Sequence, residues 1–232
     1  MAAGRGLGMG RRLAALFGLL LLAACAAAPP RPSAPPAPVA VPAPSPMLKM
    51  WPNRDAIQSA CLNDLEAMGA QFELIAQAEV GRGGCTLENG VKLLRMKAEL
   101  SRPVEITCPL ALRLMEFERD ILRPDALQIF GKELRRINHA GGFVCKRMTG
   151  NGARTSEHGH GRAIDIWGFA LMDETRVSVD QHWRDRGPFG TYLRQVARKA
   201  CDYFQVVLSP NSDAAHAKHL HVDIGPWKRC GI

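Results

Sequence analysis

Two short stretches constrain this chain more than anything else in it: Ser156-Glu157-His158-Gly159-His160-Gly161-Arg162-Ala163-Ile164-Asp165 and His216-Ala217-Lys218-His219-Leu220-His221-Val222-Asp223. A helix is a poor host for the first, because His158 and Asp165 are not at i, i+4 spacing and Gly159 and Gly161 lie between them. A turn running into a strand fits instead. Side chains alternate along a strand, so Ala163, Asp165 and Trp167 share one face and Ile164 and Ile166 the other. The second stretch obeys the same rule, with His219, His221 and Asp223 opposite Leu220, Val222 and Ile224. Each strand thus offers a polar face to a cleft and an apolar face to a core. Two imidazoles and a carboxylate are ligands that Zn²⁺ accepts, and three such ligands leave one coordination position open for water. The expectation is a hydrolytic metal site.

The first stretch also matches S-x-H-x-x-G-x-A-x-D at Ser156, His158, Gly161, Ala163 and Asp165, and the second supplies H-x-H at His219 and His221. In these positions the chain resembles the zinc-peptidase superfamily of lysostaphin, the D-Ala-D-Ala metallopeptidases and the hedgehog domain. Within it, the Ser156-Glu157-His158 opening, the Asp165-Ile166-Trp167-Gly168-Phe169 continuation and the scattered cysteines are most similar to the bacterial extensin-like C-terminal domain family, over roughly residues 51–232. The resemblance implies that His158, Asp165 and His221 bind zinc, with His219 beside the water as the catalytic proton carrier. It also implies a peptidoglycan stem-peptide substrate. The carboxypeptidase branch carries a Glu three residues before its last ligand, where this chain has Lys218, so proton transfer is expected to fall to His219. Lys146 and Arg147 are candidates to hold a substrate carboxylate. Ser156 is expected to brace the turn, Glu157 to orient a ligand or sit at the surface, and His160 and His216 to line the cleft or assist from behind.

Upstream, Arg5, Arg11 and Arg12 precede an apolar run from Leu13 to Ala24, too short to span a bilayer and ending in Leu22-Ala23-Ala24-Cys25. This reads as a lipoprotein signal over residues 1–24, with Cys25 lipidated; an ordinary signal peptide is the alternative. The following residues, up to about 50, are dominated by Ala and Pro, with nine prolines between positions 29 and 46. Such a segment favours an extended polyproline spacer, about 3.1 Å per residue and on the order of 60 Å in reach. A domain over residues 51–232 would then be tethered to a membrane, facing the periplasm and its cell wall.

Within that domain the expected class is α+β: a small antiparallel sheet with helices on one side, a zinc cleft on the sheet and disulfides as braces. Cys61 to Met68 form a helical stripe closed by Gly69, and Phe72 to Val80 read as a strand. Gly81 to Gly84 turn the chain, and Asn89-Gly90 signals a hairpin before Val91 to Met96. A helix opened by Thr107 and Pro109 runs until Pro124 breaks it. Leu134 to Ile137, Phe143 to Lys146 and Val206 to Leu208 read as strands, and Tyr192 to Phe204 as a helix. Beyond Cys25 six cysteines remain, which in an exported chain argues for three disulfides. Nearness in sequence favours Cys61 with Cys85 and Cys201 with Cys230. A metal site built from these cysteines lacks any C-x-x-C pair.

Removing residues 1–24 takes three arginines from a formal charge of +8, leaving +5. That balance suits an anionic wall polymer, while scattered basic residues without interleaved aromatics exclude a nucleic-acid surface. Two other classes stay open: a zinc-containing envelope module that binds peptidoglycan without turnover, and a structural lipoprotein without metal. An activating protein partner is also left open.

Overall fold

A computed structural model describes residues 56–75, 78–80, 84–148 and 151–232. The signal segment, Cys25, the proline-rich tether and the Gly81–Gly83 part of the expected turn lie outside the described residues. Among the described residues, no helix is long and apolar enough to cross a membrane.

Helix α1 (Ala56–Ala67) buries Leu62 and Leu65, and Gly69 closes it in a left-handed conformation. The chain then enters a three-stranded antiparallel sheet of β1 (Gln71–Leu74), β4 (Gly90–Arg95) and β6 (Val104–Thr107). The short strands β2 (Ala78–Val80) and β3 (Cys85–Leu87) pair only with each other. Asn89-Gly90 therefore turns the chain without making the expected hairpin, because β3 and β4 lie in different sheets. Likewise, the single strand expected over 72–80 is two strands with different partners.

Helix α2 (Cys108–Phe117) follows β6 with Thr107 at its N-cap and Pro109 in its first turn. It does not end at Pro124. A π-helical turn, Glu118–Leu122, leads directly into α3 (Arg123–Phe130), where Pro124 occupies the first turn. The π turn shifts the hydrogen-bond register, and a proline at the start of a helix lacks an N–H that would have no partner there. The Tyr192 hydroxyl donates to the Leu122 carbonyl at 3.0 Å, clamping this junction from the far side of the core.

The main sheet has seven strands rather than a few. Its order is β14 (Arg229–Gly231), β12 (Val206–Leu208), β13 (Leu220–Asp223), β10 (Ala163–Leu171), β7 (Leu134–Gly141) and β5 (Glu99–Leu100). The short strand β11 (Arg176–Ser178) also pairs β10, and the pair β8 (Arg147–Met148) and β9 (Asn151–Thr155) stands apart. The centre is antiparallel, but β12/β14 and β5/β7 are parallel. Phe143 to Lys146, expected as a strand, has no ladder and passes as a loop.

After the short α4 (Val179–His182), helix α5 (Pro188–Tyr203) buries Tyr192, Leu193, Val196, Ala197 and Ala200. These join one core with Ile164, Ile166, Phe169, Leu220 and Val222. Each such aliphatic side chain contributes roughly 1.5–3 kcal/mol on burial. The core side of β10 is what commits Asp165 to the opposite face. A β-bulge follows: β10 shifts register against β7 between Ile166 and Gly168, leaving Trp167 as the extra residue. The inserted residue reverses the alternation, so Ile166 and Phe169 are both buried while Trp167 is 44% exposed.

The six cysteines form three disulfides: Cys61–Cys108, Cys85–Cys145 and Cys201–Cys230. The Cys201–Cys230 pairing is as expected. Cys61 instead joins Cys108, because α1 lies against the start of α2 whereas Cys85 sits on a separate two-stranded sheet.

Candidate metal centre

Strands β10 and β13 run antiparallel in a register that sets Asp165 directly opposite His221. Side chains at such paired positions share a face within about 5 Å, so the ladder alone brings a carboxylate to an imidazole. Asp165 Oδ1 lies 2.8 Å from His221 Nδ1.

His158 arrives from the 3₁₀ turn Glu157–His160 that precedes β10. Ser156 caps this turn, its Oγ accepting from the His158 N–H at 3.4 Å, and so braces it as expected. Gly161 ends the turn in a left-handed conformation, φ +63°, and a side chain there would overlap Leu87. The turn places His158 Nε2 3.1 Å from Asp165 Oδ1 and 3.2 Å from His221 Nδ1. His158 and His221 are both buried.

The outer ring nitrogens decide what the inner ones do. His158 Nδ1 stands 2.7 Å from the Gly142 carbonyl, which can only accept, so Nδ1 carries the hydrogen. His221 Nε2 stands 3.0 Å from Asp223 Oδ2 and donates to that carboxylate. Asp223 is held in turn by the Gly225 N–H at 2.9 Å. With both outer positions committed to donation, His158 Nε2, Asp165 Oδ1 and, once its proton is given up, His221 Nδ1 can direct lone pairs at one centre. Three converging lone pairs repel unless positive charge lies among them. When no ion is present, that charge is the His221 proton. Burial opposes ionisation of Asp165, yet the close approach of His158 and His221 outweighs it and holds the carboxyl far below the usual range. Burial likewise disfavours a charged His221, but Asp165 and Asp223 push it up to about 9.

These three side chains form the group that could hold a metal ion among the described residues. The fit is geometric as well as chemical. Ligand atoms about 2.0 Å from a tetrahedral ion stand about 3.3 Å apart, and the observed separations are 2.8, 3.1 and 3.2 Å. Donation of the second ring N–H to a carbonyl or carboxylate is the usual support of metal-binding histidines.

The other sequence-predicted residues divide. His219 belongs to the cluster: its Nε2 is 3.5 Å from Asp165 Oδ1, and burial lowers its pKa while Asp165 opposes. His216 is beside it, with ring centroids 5.2 Å from His219 and 5.7 Å from His221, and its Nδ1 is 2.6 Å from Asp213 Oδ1. Lys146 Nζ reaches to 3.9 Å from Asp165 Oδ2 from a half-exposed position. Arg147 is exposed on β8. Glu157 Oε2 accepts from Arg162 Nε at 2.8 Å, and its side chain lies against Gly225. His160 turns to Thr86, 3.3 Å away. Lys218 reaches out to Asp180 at 3.6 Å.

Two supports were not assigned from sequence. Asp223 was legible only as a residue sharing the face of His221; the H-x-D spacing is the signal that marks it. The Gly142 carbonyl left no signal, since any residue type supplies one. Cys25 lies outside the described residues.

No curated protein and no solved structure matches this chain. Residues 59–231, which include the strands carrying Asp165 and His221, the His158 turn and all three disulfides, match the family described as extensin-like protein C-terminus, and the chain belongs to that family.

Proposed function

We propose that this chain is a zinc-dependent peptidase of the bacterial cell envelope that hydrolyses peptidoglycan stem-peptide or cross-link bonds. One observation carries the reading: three buried ligand atoms converge, with the outer ring nitrogens of the two histidines held by the Gly142 carbonyl and the Asp223 carboxylate. Zinc suits this donor set and supplies Lewis acidity and an activated water at neutral pH. The substrate class rests on the resemblance of the paired motifs to those of zinc peptidases. The location rests on the lipoprotein-like leader, Cys25 and the tether, which would anchor the domain through acyl chains.

The roles of the chain's own groups follow from position. His158, Asp165 and His221 bind the metal. His219, partly exposed at the mouth of the cluster, is placed to accept a proton from water and pass it to the leaving amine. Glu157 is engaged by Arg162 and Lys218 by Asp180, so neither competes for that role. Lys146 offers an ammonium group over Asp165 to a substrate carboxylate or a developing oxyanion, with Arg147 further out.

Lys218, three residues before His221 where the carboxypeptidase branch carries its Glu, also favours a second reading, a zinc-containing peptidoglycan-binding module without turnover. Elemental analysis of purified protein tests the metal. Chelator-sensitive release of stem-peptide fragments from purified sacculi supports the peptidase; sedimentation with sacculi without release supports the binding module.

A further inference from the structure

The three disulfides do different work. Cys61–Cys108 ties α1 to the buried start of α2, and Cys201–Cys230 ties α5 to the edge strand β14. Cys85–Cys145 instead joins β3 to a loop that has no ladder of its own. That loop touches the His158 turn at every level. The Gly142 carbonyl accepts from His158 Nδ1 at 2.7 Å, the Val144 N–H donates to the His158 carbonyl at 3.1 Å, and the Lys146 carbonyl accepts from the Ser156 N–H at 3.0 Å. Gly159 presses on the bridge itself, since a Cβ there would stand 3.1 Å from Cys85 Sγ. Cys85 is buried, while Val144, Cys145 and Lys146 are exposed. The loop that selects the His158 tautomer is thus solvent-facing, and a covalent bond pins its middle.

We infer that the Cys85–Cys145 disulfide is a positioning element of the metal centre, so that breaking it weakens metal binding while the domain stays folded. The inference rests on the metal reading above. A dithiol reductant reaches the bond from the exposed Cys145 side. One of its sulfurs forms a mixed disulfide as Cys85 leaves as a thiolate. Its second sulfur then displaces Cys145, so the reductant departs as a disulfide and the protein gains two electrons and two protons as two thiols. The loop carrying Gly142 and Lys146 then keeps its hydrogen bonds and loses its covalent tie to β3.

The test compares the mature full chain with the double variants Cys85→Ala/Cys145→Ala and Cys201→Ala/Cys230→Ala. Zn²⁺ affinity is measured by competition with a chromophoric chelator, and cooperative melting by circular dichroism. The first variant is expected to bind Zn²⁺ roughly 10–100-fold more weakly, the loss typical of removing a ligand's support, and the second within threefold of the parent. Unchanged affinity in the first variant, equal losses in both, or loss of cooperative melting in the first overturns the inference. A second readout needs no metal. Ring ¹⁵N shifts of His158 should report a single Nδ1–H tautomer in the parent and an averaged one in the first variant. If the parent binds no Zn²⁺, the metal reading falls, and these shifts still decide whether the bridge positions His158.

Discussion

Asp165 and His221 stand directly opposite each other across the β10/β13 ladder, with Oδ1 2.8 Å from Nδ1, although 56 residues separate them in the chain. Because the ladder fixes both backbones, replacing either side chain removes a candidate ligand while the paired strands hold the other in place. His221→Ala and Asp165→Asn are each expected to lose bound zinc in elemental analysis. His219→Ala should keep zinc and lose turnover on sacculi. Full zinc occupancy in His221→Ala would remove the ligand assignment.

Asp223 holds the outer nitrogen of His221, Nε2, and so leaves Nδ1 turned toward Asp165. Asp223→Asn presents an amide that can donate as well as accept, so the tautomer is no longer imposed. We expect roughly 10–100-fold weaker metal affinity with an unchanged number of sites. A competition titration of the variant against the parent measures this.

A metal bound only by the native state stabilises the fold by mass action, about 2.7 kcal/mol at a concentration a hundredfold above Kd. Thermal melts should therefore shift upward with added Zn²⁺ and return on chelation. His158→Ala should abolish the shift, whereas His160→Ala, whose ring faces Thr86, should retain it.

The Cys61–Cys108 bridge closes a separation of 47 residues between two buried cysteines. Replacing both by alanine is expected to cost about 2–4 kcal/mol, chiefly by freeing the unfolded chain. Urea denaturation gives the difference, and zinc affinity should not follow it.

Glu118 is buried in the π-helical turn, where its Oε1 accepts from the Ala98 N–H at 2.8 Å. Burial raises its pKa above 4.5, while the Ala98 N–H and Arg123 pull it back. A carboxyl raised in the folded state contributes stability below its unfolded pKa and loses it as pH rises through the folded value. Glu118→Gln cannot ionise, so its stability relative to the parent should increase as pH rises from about 4 toward 7. Urea midpoints that stay parallel across that range would contradict this.

Much of the site could be read from the residue order because its ligands sit on strands whose alternation is local. The opposed faces of Ile164 and Asp165, and of Leu220 and His221, follow from period two and from the tendency of aliphatic groups to leave water. The cap at Ser156 and the glycine-terminated turn follow from equally local rules. Alternation carries no further than Trp167, where the ladder slips, since a bulge is a relation between two strands and neither one announces it.

What needed the folded chain is everything that depends on which segments meet. The β10/β13 register that aligns Asp165 with His221, the Gly142 carbonyl that turns His158 and the pairing of Cys61 with Cys108 rather than Cys85 all join residues far apart in sequence. Pro124 ends no helix because the π turn before it absorbs the missing donor, and the loop at Phe143 to Lys146 is no strand because its backbone bonds go singly to Glu105 on β6 and to the His158 turn rather than to one ladder. Local chemistry chose the ligands and the faces they occupy. Long-range packing chose their partners, because the free energy of bringing distant groups together is set by the whole core and not by either segment alone.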